Sequence, residues 1–296
     1  MLKYLSLFSG IGAPEKALKN LGIEYELIGF SEIDKYAIKS YCAIHNVSEE
    51  LNLGDITKID IKSLPKDIDF ITHGSPCTDI SLAGKEAGAD KGSGTRSSLM
   101  WNSVEIFKHC KPKIILWENV KNLLSKKHKH NFDAYIEDLN NLGYTSYYKV
   151  LNAKDFGIPQ NRERVFTISI RNDINKEFKF PEPFDNGIRL KDLLEEEVDE
   201  KYYINTEKAN KLIEEFKANN KNVVDNGNCS KVICPCITPD RLNKRQNGRR
   251  FKTNDEPMFT LTAQDRHGVL ETNTLNFIGG IGEKDIVGDN KSLSRN

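Results

Sequence analysis

The chain carries no net charge: 43 Lys and Arg balance 43 Asp and Glu across 296 residues. This excludes a globally electropositive surface, so any nucleic-acid function has to come from local clusters. Long apolar runs are lacking too. The N-terminal LSLFSGIGA is too short to span a bilayer and is broken by glycines. It also lacks the basic flank and cleavage site of a signal peptide, so a cytoplasmic protein with no membrane partner is expected. Cysteine is sparse: Cys42, Cys77, Cys110, Cys229, Cys234 and Cys236. Without a secretory context these are expected to be reduced thiols, each free to do chemistry. The last three follow a C-x4-C-x-C spacing with no fourth ligand in place, so no metal site is expected. Strong repeats and low-complexity tracts are absent.

What is there is enough apolar residue, 38%, for a sizeable core burying roughly 75% of the unfolded surface. The first part of the chain alternates strand and helix signals. YLSLF, YELIGFSEI, DIDFITH, PKIILWENV, YTSYYKVLNA and RVFTISI read as strands, with PKIILWENV fully buried by its apolar run. IGAPEKALKNLG, DKYAIKSYCAIH, SSLMWNSVEIFKHC and NFDAYIEDLNNLG read as helices, with Gly22 stopping the first and Asp34 capping the second. This rhythm predicts an α/β, doubly wound sheet. It stops near Phe180, where PEPFDNG reads as a linker. The expected division is therefore 1–180 for a catalytic and cofactor-binding domain and 181–296 for a mixed α+β recognition region. The latter holds an acidic run, Asp192 to Glu200, expected as a solvated helix face. It also holds a basic run, Arg241 to Lys252, with six basic residues and no acid, a candidate phosphate-contacting segment. MFTLTAQDRHGVL reads as a strand and turn.

In LFSGIGAPE, between the first strand and first helix, Gly10 and Gly12 allow close approach of a ligand to the backbone. A dinucleotide fingerprint wants a third glycine where Glu15 stands, and an acid beside a pyrophosphate is unfavourable, which weighs against a nicotinamide oxidoreductase. Glu32, ending the second strand, is placed to accept ribose hydroxyls. Asp55 in GDIT, expected at the end of a third strand, is placed to accept an adenine amine. Together these suit an adenosine ligand without a pyrophosphate, such as S-adenosylmethionine.

The remaining signal is GSPCTDIS, where Cys77 follows Pro76 at a strand end. Alone, such a cysteine is most often an inert thiol. Its companions change that reading. FSGIG, SEID, GDIT, GSPCTDIS, GTRSSLMWN, ENV and QNRERVF, in this order and spacing, resemble the first six motifs and the eighth motif of the DNA (cytosine-5) methyltransferases. The resemblance is close over residues 1 to 171 and loose beyond, where the family varies its target-recognition region. It implies a class I methyltransferase fold of Rossmann-like topology, S-adenosylmethionine as methyl donor and S-adenosylhomocysteine as product. It also implies the substrate, a cytosine flipped out of duplex DNA, and the restriction-modification setting in which a cognate endonuclease can accompany the enzyme. Its cofactor residues map to Phe8, Gly10, Gly12, Glu32, Ile33, Asp55, Ile56, Pro76 and Leu99. Its catalytic residues map to Cys77, Glu118, Arg162 and Arg164. Substrate or DNA contacts map to Ser81, Lys85 and Asn119, joined by Arg241, Arg245, Arg249 and Arg250 of the basic run.

Three departures stand out. Thr78 follows Cys77 where the family commonly has Gln, and Asn161 stands where basic residues are frequent. The last two motifs are not found before Asn296, which implies a fragment, or half of an enzyme completed by a second chain. The rival expectations are the same chemistry on tRNA, and a non-catalytic DNA-binding subunit.

The chemistry requires these residue types. Carbon 5 of cytosine is a poor nucleophile. A thiolate adding at carbon 6 turns the ring into an enamine whose carbon 5 can attack a methyl sulfonium. Cys77 would be the thiolate. Glu118, with its carboxyl protonated through burial, would serve ring N3 and the amine. Arg164, and Arg162 beside it, would stabilise charge developing at O2. The stretch after Cys77, rich in Gly, Ser and Lys, is expected to close over DNA once the base is out.

Overall fold

The computed structural model describes residues 1–80, 88–219, 233–242, 248–252, 256–261, 266–271 and 276–278. It divides into two compact units. The first comprises Met1–Leu151 with Glu163–Pro181, and the second Asn152–Arg162 with Glu182–Asn296. Residues 152–162, in the middle of the strand–helix alternation, thus pack with the later part of the chain.

The first unit is built on a six-stranded sheet. Its strands are β1 (Leu2–Leu7), β2 (Tyr25–Ser31), β3 (Phe70–His73), β4 (Ile114–Val120), β5 (Tyr144–Asn152) and β6 (Glu163–Arg171), in the spatial order β2-β1-β3-β4-β6-β5. β1 pairs in parallel with both β2 and β3, and β3 in parallel with β4. β6 runs antiparallel to β4. The helices are α1 (Ala13–Asn20), α2 (Lys35–His45), α3 (Met100–Cys110) and α4 (Lys129–Asn141). The end of β1 is buried on both faces, as a central parallel strand should be: Tyr4, Leu5, Ser6 and Leu7 are each at most 1% exposed.

β4 departs from the expected fully buried strand. Ile115, Trp117 and Asn119 are buried, while the residues between them are half-exposed. This is the period-two pattern of a strand with one packed face. It puts Trp117 and Asn119 on the face opposite Glu118. The packed face meets aromatic side chains: His73 stacks on Trp117 at 5.5 Å, and Tyr135 of α4 lies 4.2 Å from the Trp117 ring centre.

Local signals explain the helix ends. The Asp34 carboxylate accepts the Tyr36 and Ala37 N–H groups, satisfying two donors the first turn leaves free. α1 begins after Gly12, whose φ of 83° is left-handed. A Cβ there would sit 2.1 Å from the His45 ring and 2.9 Å from Tyr41, so the glycine lets α2 pack against the turn. Asp55 does not end a strand. Asn52, before it, makes only an isolated bridge to Phe30, and Asp55 caps the single turn Ile56–Lys58.

The second unit holds α5 (Glu207–Asn219) and a sheet of β7 (Tyr203–Ile204), β8 (Ile233–Ile237), β9 (His267–Glu271) and β10 (Asn276–Ile278) in the order β7-β10-β9-β8. Its three strand pairings are antiparallel. Ala209, Leu212, Ile213 and Phe216 of α5 form its core with Cys234, Cys236 and Leu270. Burial pushes the Cys234 thiol up to about 11 and that of Cys236 higher. Cys229 lies outside the described residues.

The acidic run is not a helix. A single turn at Leu190–Leu193 is followed by bends, since carboxylates at helical spacing repel one another. Among the described residues of MFTLTAQDRHGVL the expected strand is seen at the end, in β9, while Met258 makes an isolated bridge to Gln160. Among the described residues no helix is long and apolar enough to cross a membrane.

Candidate active site

β3 and β4 are parallel neighbours, so the segments following them emerge at one sheet edge, the edge where open α/β sheets bind ligands. The antiparallel β6 delivers its beginning to that same edge. Its register pairs Val120 with Arg164, which leaves Glu118 diagonal to Arg164 on one face, within reach of long side chains. Arg164 Nε lies 3.0 Å from Glu118 Oε1.

After β3 the Gly74 N–H donates to the Leu7 carbonyl at 3.3 Å, continuing the ladder by one residue. Gly74 sits against the carboxylate: a Cβ there would lie 3.9 Å from Glu118 Oε2. Ser75 is 4% exposed. Its hydroxyl accepts from Trp117 Nε1 at 3.1 Å and from Asn119 Nδ2 at 3.2 Å, and its carbonyl accepts from Asn119 Nδ2 at 3.2 Å. Cys77 is half-buried, and its carbonyl accepts the Ile80 N–H at 3.0 Å, closing a tight turn. The edge therefore carries a carboxylate and a guanidinium in contact, from β4 and β6, with the Cys77 thiol on the turn that follows β3.

The carboxylate differs from expectation. The Glu118 side chain is 34% exposed and ion-paired, so burial is not its governing feature. Asn119 differs as well. It is 2% exposed, its amide donates to Ser75, and its carbonyl oxygen accepts the Val120 N–H, so its polar atoms are spent within the chain.

Asp79 was missed by sequence reasoning. Its N–H donates to Ser97 Oγ, its carboxylate accepts the Ser97 N–H, and its carbonyl accepts the Gly88 N–H. It thereby joins the Cys77 turn to the start of α3. Asn122 was also missed; its side-chain N–H donates to the Ile80 carbonyl. No motif signals the side-chain contacts, since they link residues 18 and 42 positions apart.

The adenosine-site candidates form a second group beyond β1 and β2. The Glu32 carboxylate accepts from Gly10 N at 2.9 Å, Ile33 N at 2.8 Å and Asp34 N at 2.9 Å. Phe8 and Gly10 both have left-handed backbones, and the space beyond Gly10's missing Cβ is open. The Ile33 side chain is 74% exposed beside Glu32. The Thr57 N–H and hydroxyl hold the Asp55 carboxyl below the usual carboxylate range. Ile56 is buried, while Pro76 and Leu99 are half-buried. Gly12 faces His45 and Tyr41 instead.

In the second unit the Arg162 N–H is tied to the Asn152 side chain at 2.9 Å. Arg250 is spent on the fold: its guanidinium donates to the Thr238 carbonyl at 2.8 Å and the Leu242 carbonyl at 2.6 Å. Arg249 pairs with Glu256. Arg241 is exposed. Ser81, Lys85 and Arg245 lie outside the described residues.

A family model, the C-5 cytosine-specific DNA methylase, matches residues 2–279. The orphan methyltransferase M.SPRI of Bacillus phage SPR is 37% identical over 90% of this chain and 83% of its own length. The type II methyltransferase M2.ScrFI of Lactococcus lactis subsp. cremoris is 41% identical over 69% of this chain and 70% of its own. Among solved structures, a mutant of Spodoptera frugiperda DNMT2 superimposes with a TM-score of 0.57 at 23% identity, covering 72% of this chain and 65% of that one. That likeness bears on the fold alone and agrees with the α/β, Rossmann-like sheet. The chain belongs to the C-5 cytosine-specific DNA methylase family and is a DNA cytosine methyltransferase.

Proposed function

We propose that the chain methylates carbon 5 of a cytosine swung out of duplex DNA at a specific sequence, with Cys77 as nucleophile and S-adenosylmethionine as donor. The observation that carries this reading is the Glu118–Arg164 pair at the sheet edge where the Cys77 turn follows β3, with the Glu118 carboxylate against Gly74, three residues before the thiol.

The residues around Glu32 fit an adenosine group. Its carboxylate has one lone-pair site left, on Oε2, beyond the three N–H groups it accepts, enough for one ribose hydroxyl. The open space at Gly10 admits a ligand against the backbone, and exposed Ile33 offers an apolar surface to a planar base. Asp55 Oδ1 is occupied by Thr57, which leaves Oδ2 to accept an exocyclic amine. When bound, S-adenosylmethionine supplies an electrophilic methyl on sulfonium.

The Cys77 thiolate adds to carbon 6, and the ring's electrons move toward N3 and O2. Glu118, carrying a proton, donates it to N3 and accepts from the amine, N3 giving the proton back as the ring double bond re-forms, and Arg164 turns its guanidinium to O2. Carbon 5 would take the methyl as its bond to the donor's sulfur breaks and the neutral thioether leaves, and would then give up its proton to a base. The electron pair of that C–H bond re-forms the ring double bond and expels the Cys77 thiolate. Exposed Arg241 supplies a phosphate contact.

The test is transfer of labelled methyl to duplex DNA by the wild-type chain and by Cys77→Ala. Incorporation that disappears in the variant supports the assignment; incorporation that persists removes Cys77 from the mechanism.

A further inference from the structure

Ser75 receives two hydrogen bonds on its hydroxyl and one on its carbonyl, all from β4 side chains, inside a layer where Ser75, Trp117 and Asn119 are at most 4% exposed. We propose that Ser75 is a positioning residue, and that the Trp117 indole clamps its hydroxyl so that the Pro76–Cys77 turn is held in register with Glu118. This rests on the assignment of Cys77 as nucleophile and goes beyond it.

The geometry explains how the clamp acts. β4 alternates, so Trp117 and Asn119 reach back toward the packed face while Glu118 between them is on the other side. Residues on either side of Glu118 thus grip the residue two before Cys77. The spacing between the end of β3 and the end of β4 becomes fixed by side-chain bonds where the backbone ladder has run out. The ladder between these strands ends at His73 and Trp117.

The grip itself is anchored. The indole is stacked on His73 with a 6° interplanar angle, and the His73 ring nitrogen Nε2 is 2.9 Å from the Tyr135 hydroxyl. The indole N–H therefore has a fixed direction. A water-excluded site also makes each bond costly to leave unmade, so the turn has one arrangement rather than several. Beyond Cys77, the Asp79–Ser97 pair holds the other flank of the turn. The nucleophile sits on a short span pinned at both ends, which suits a step that needs attack distances set within fractions of an ångström.

The experiment compares wild type, Ser75→Ala and Ser75→Thr, each assayed at least 10 °C below its own melting temperature. Two rates are read. The first is covalent capture of Cys77 by duplex DNA carrying 5-fluorocytosine, with DNA affinity measured separately. The second is alkylation of Cys77 by iodoacetamide without DNA, followed by peptide mass, with half-buried Cys42 as internal reference.

Ser75→Ala is expected to slow capture at saturating DNA by about 10- to 100-fold, to leave DNA affinity unchanged, and to change the Cys77-to-Cys42 alkylation ratio at least about threefold. Ser75→Thr, which keeps the hydroxyl, is expected to recover most of both. An unchanged alkylation ratio in Ser75→Ala overturns the clamp, whether or not DNA is captured. A loss that appears only in DNA affinity also overturns it. Absence of capture by wild type, with the ratio still shifted, counts against the nucleophile assignment and leaves the clamp standing.

Discussion

The Glu118–Arg164 pair invites the sharpest perturbation, Arg164→Met, which removes the charge and keeps most of the side-chain length. Unit charges 3.0 Å apart attract by about 5.5 kcal/mol at an effective dielectric of about 20. The Glu118 side chain is 34% exposed and that of Arg164 17%, so hydration lost on pairing cancels most of this. A net contribution of about 1 kcal/mol is expected, a shift of about 2–4 °C in melting temperature for a unit of this size.

The effect on the reaction should be far larger. A guanidinium aimed at an oxygen where negative charge builds acts mainly in the transition state, and losing one such donor costs about 100- to 1,000-fold in rate. The assay is single-turnover capture by 5-fluorocytosine duplex at saturating DNA. Arg164→Met is expected to bind DNA nearly as wild type and to be captured about 100-fold more slowly or worse, with Arg164→Lys in between because it keeps charge without the fork. Capture by Arg164→Met within about threefold of wild type would refute the assignment and reduce the pair to a surface ion bridge.

Other outcomes follow from the same contacts. Gly12→Ala is expected to cost about 2–4 kcal/mol in urea unfolding, because its methyl meets the His45 ring and φ is 83°. Asp34→Ala is expected to cost about 1 kcal/mol through loss of the α2 cap, read by the same titration. Arg250→Ala is expected to destabilise the second unit by freeing the Thr238 and Leu242 carbonyls. Arg241→Ala should instead leave stability intact and lower the salt-dependence slope of DNA binding by about 0.9. Burial lowers the His73 pKa to about 3, so the unfolded chain takes up a proton near pH 6.5 that the folded chain refuses. Its contribution is therefore complete above pH 6.5 and is lost as pH falls toward 3, at up to about 1.4 kcal/mol per pH unit. That slope should be absent in His73→Asn.

The placement of the candidate residues was largely legible because they sit where strands end, and strand ends are visible in the alternation of apolar runs and breakers. GSPC and ENV could be placed on one edge once β3 and β4 were taken as parallel. Asp34 was legible as a cap because capping is local. What was not legible depends on contacts across the chain. Glu118 reads as a buried acid after an apolar run, yet alternation turns it to the more open side of β4, against an arginine 46 positions later. Gly12 reads as a ligand glycine, whereas its role is set by His45 on the next helix. Arg250 looks like one more cation in a basic run until the carbonyls it holds are seen. Asp55 was misplaced because a strand was inferred where only one bridge forms, at Asn52. The Ser75 clamp has no sequence signature, since a serine, a tryptophan and an asparagine 42 to 44 residues apart carry no pattern.

The most direct measurement is mass mapping of the wild-type chain after incubation with S-adenosylmethionine and duplex DNA containing 5-fluorocytosine at its target site, where fluorine blocks loss of the carbon 5 substituent. The proposed mechanism predicts a single covalent adduct on the peptide containing Cys77. It should be absent in Cys77→Ala and strongly reduced in Arg164→Met. An adduct on another cysteine, or methyl transfer with no trapped species, would contradict a mechanism through Cys77.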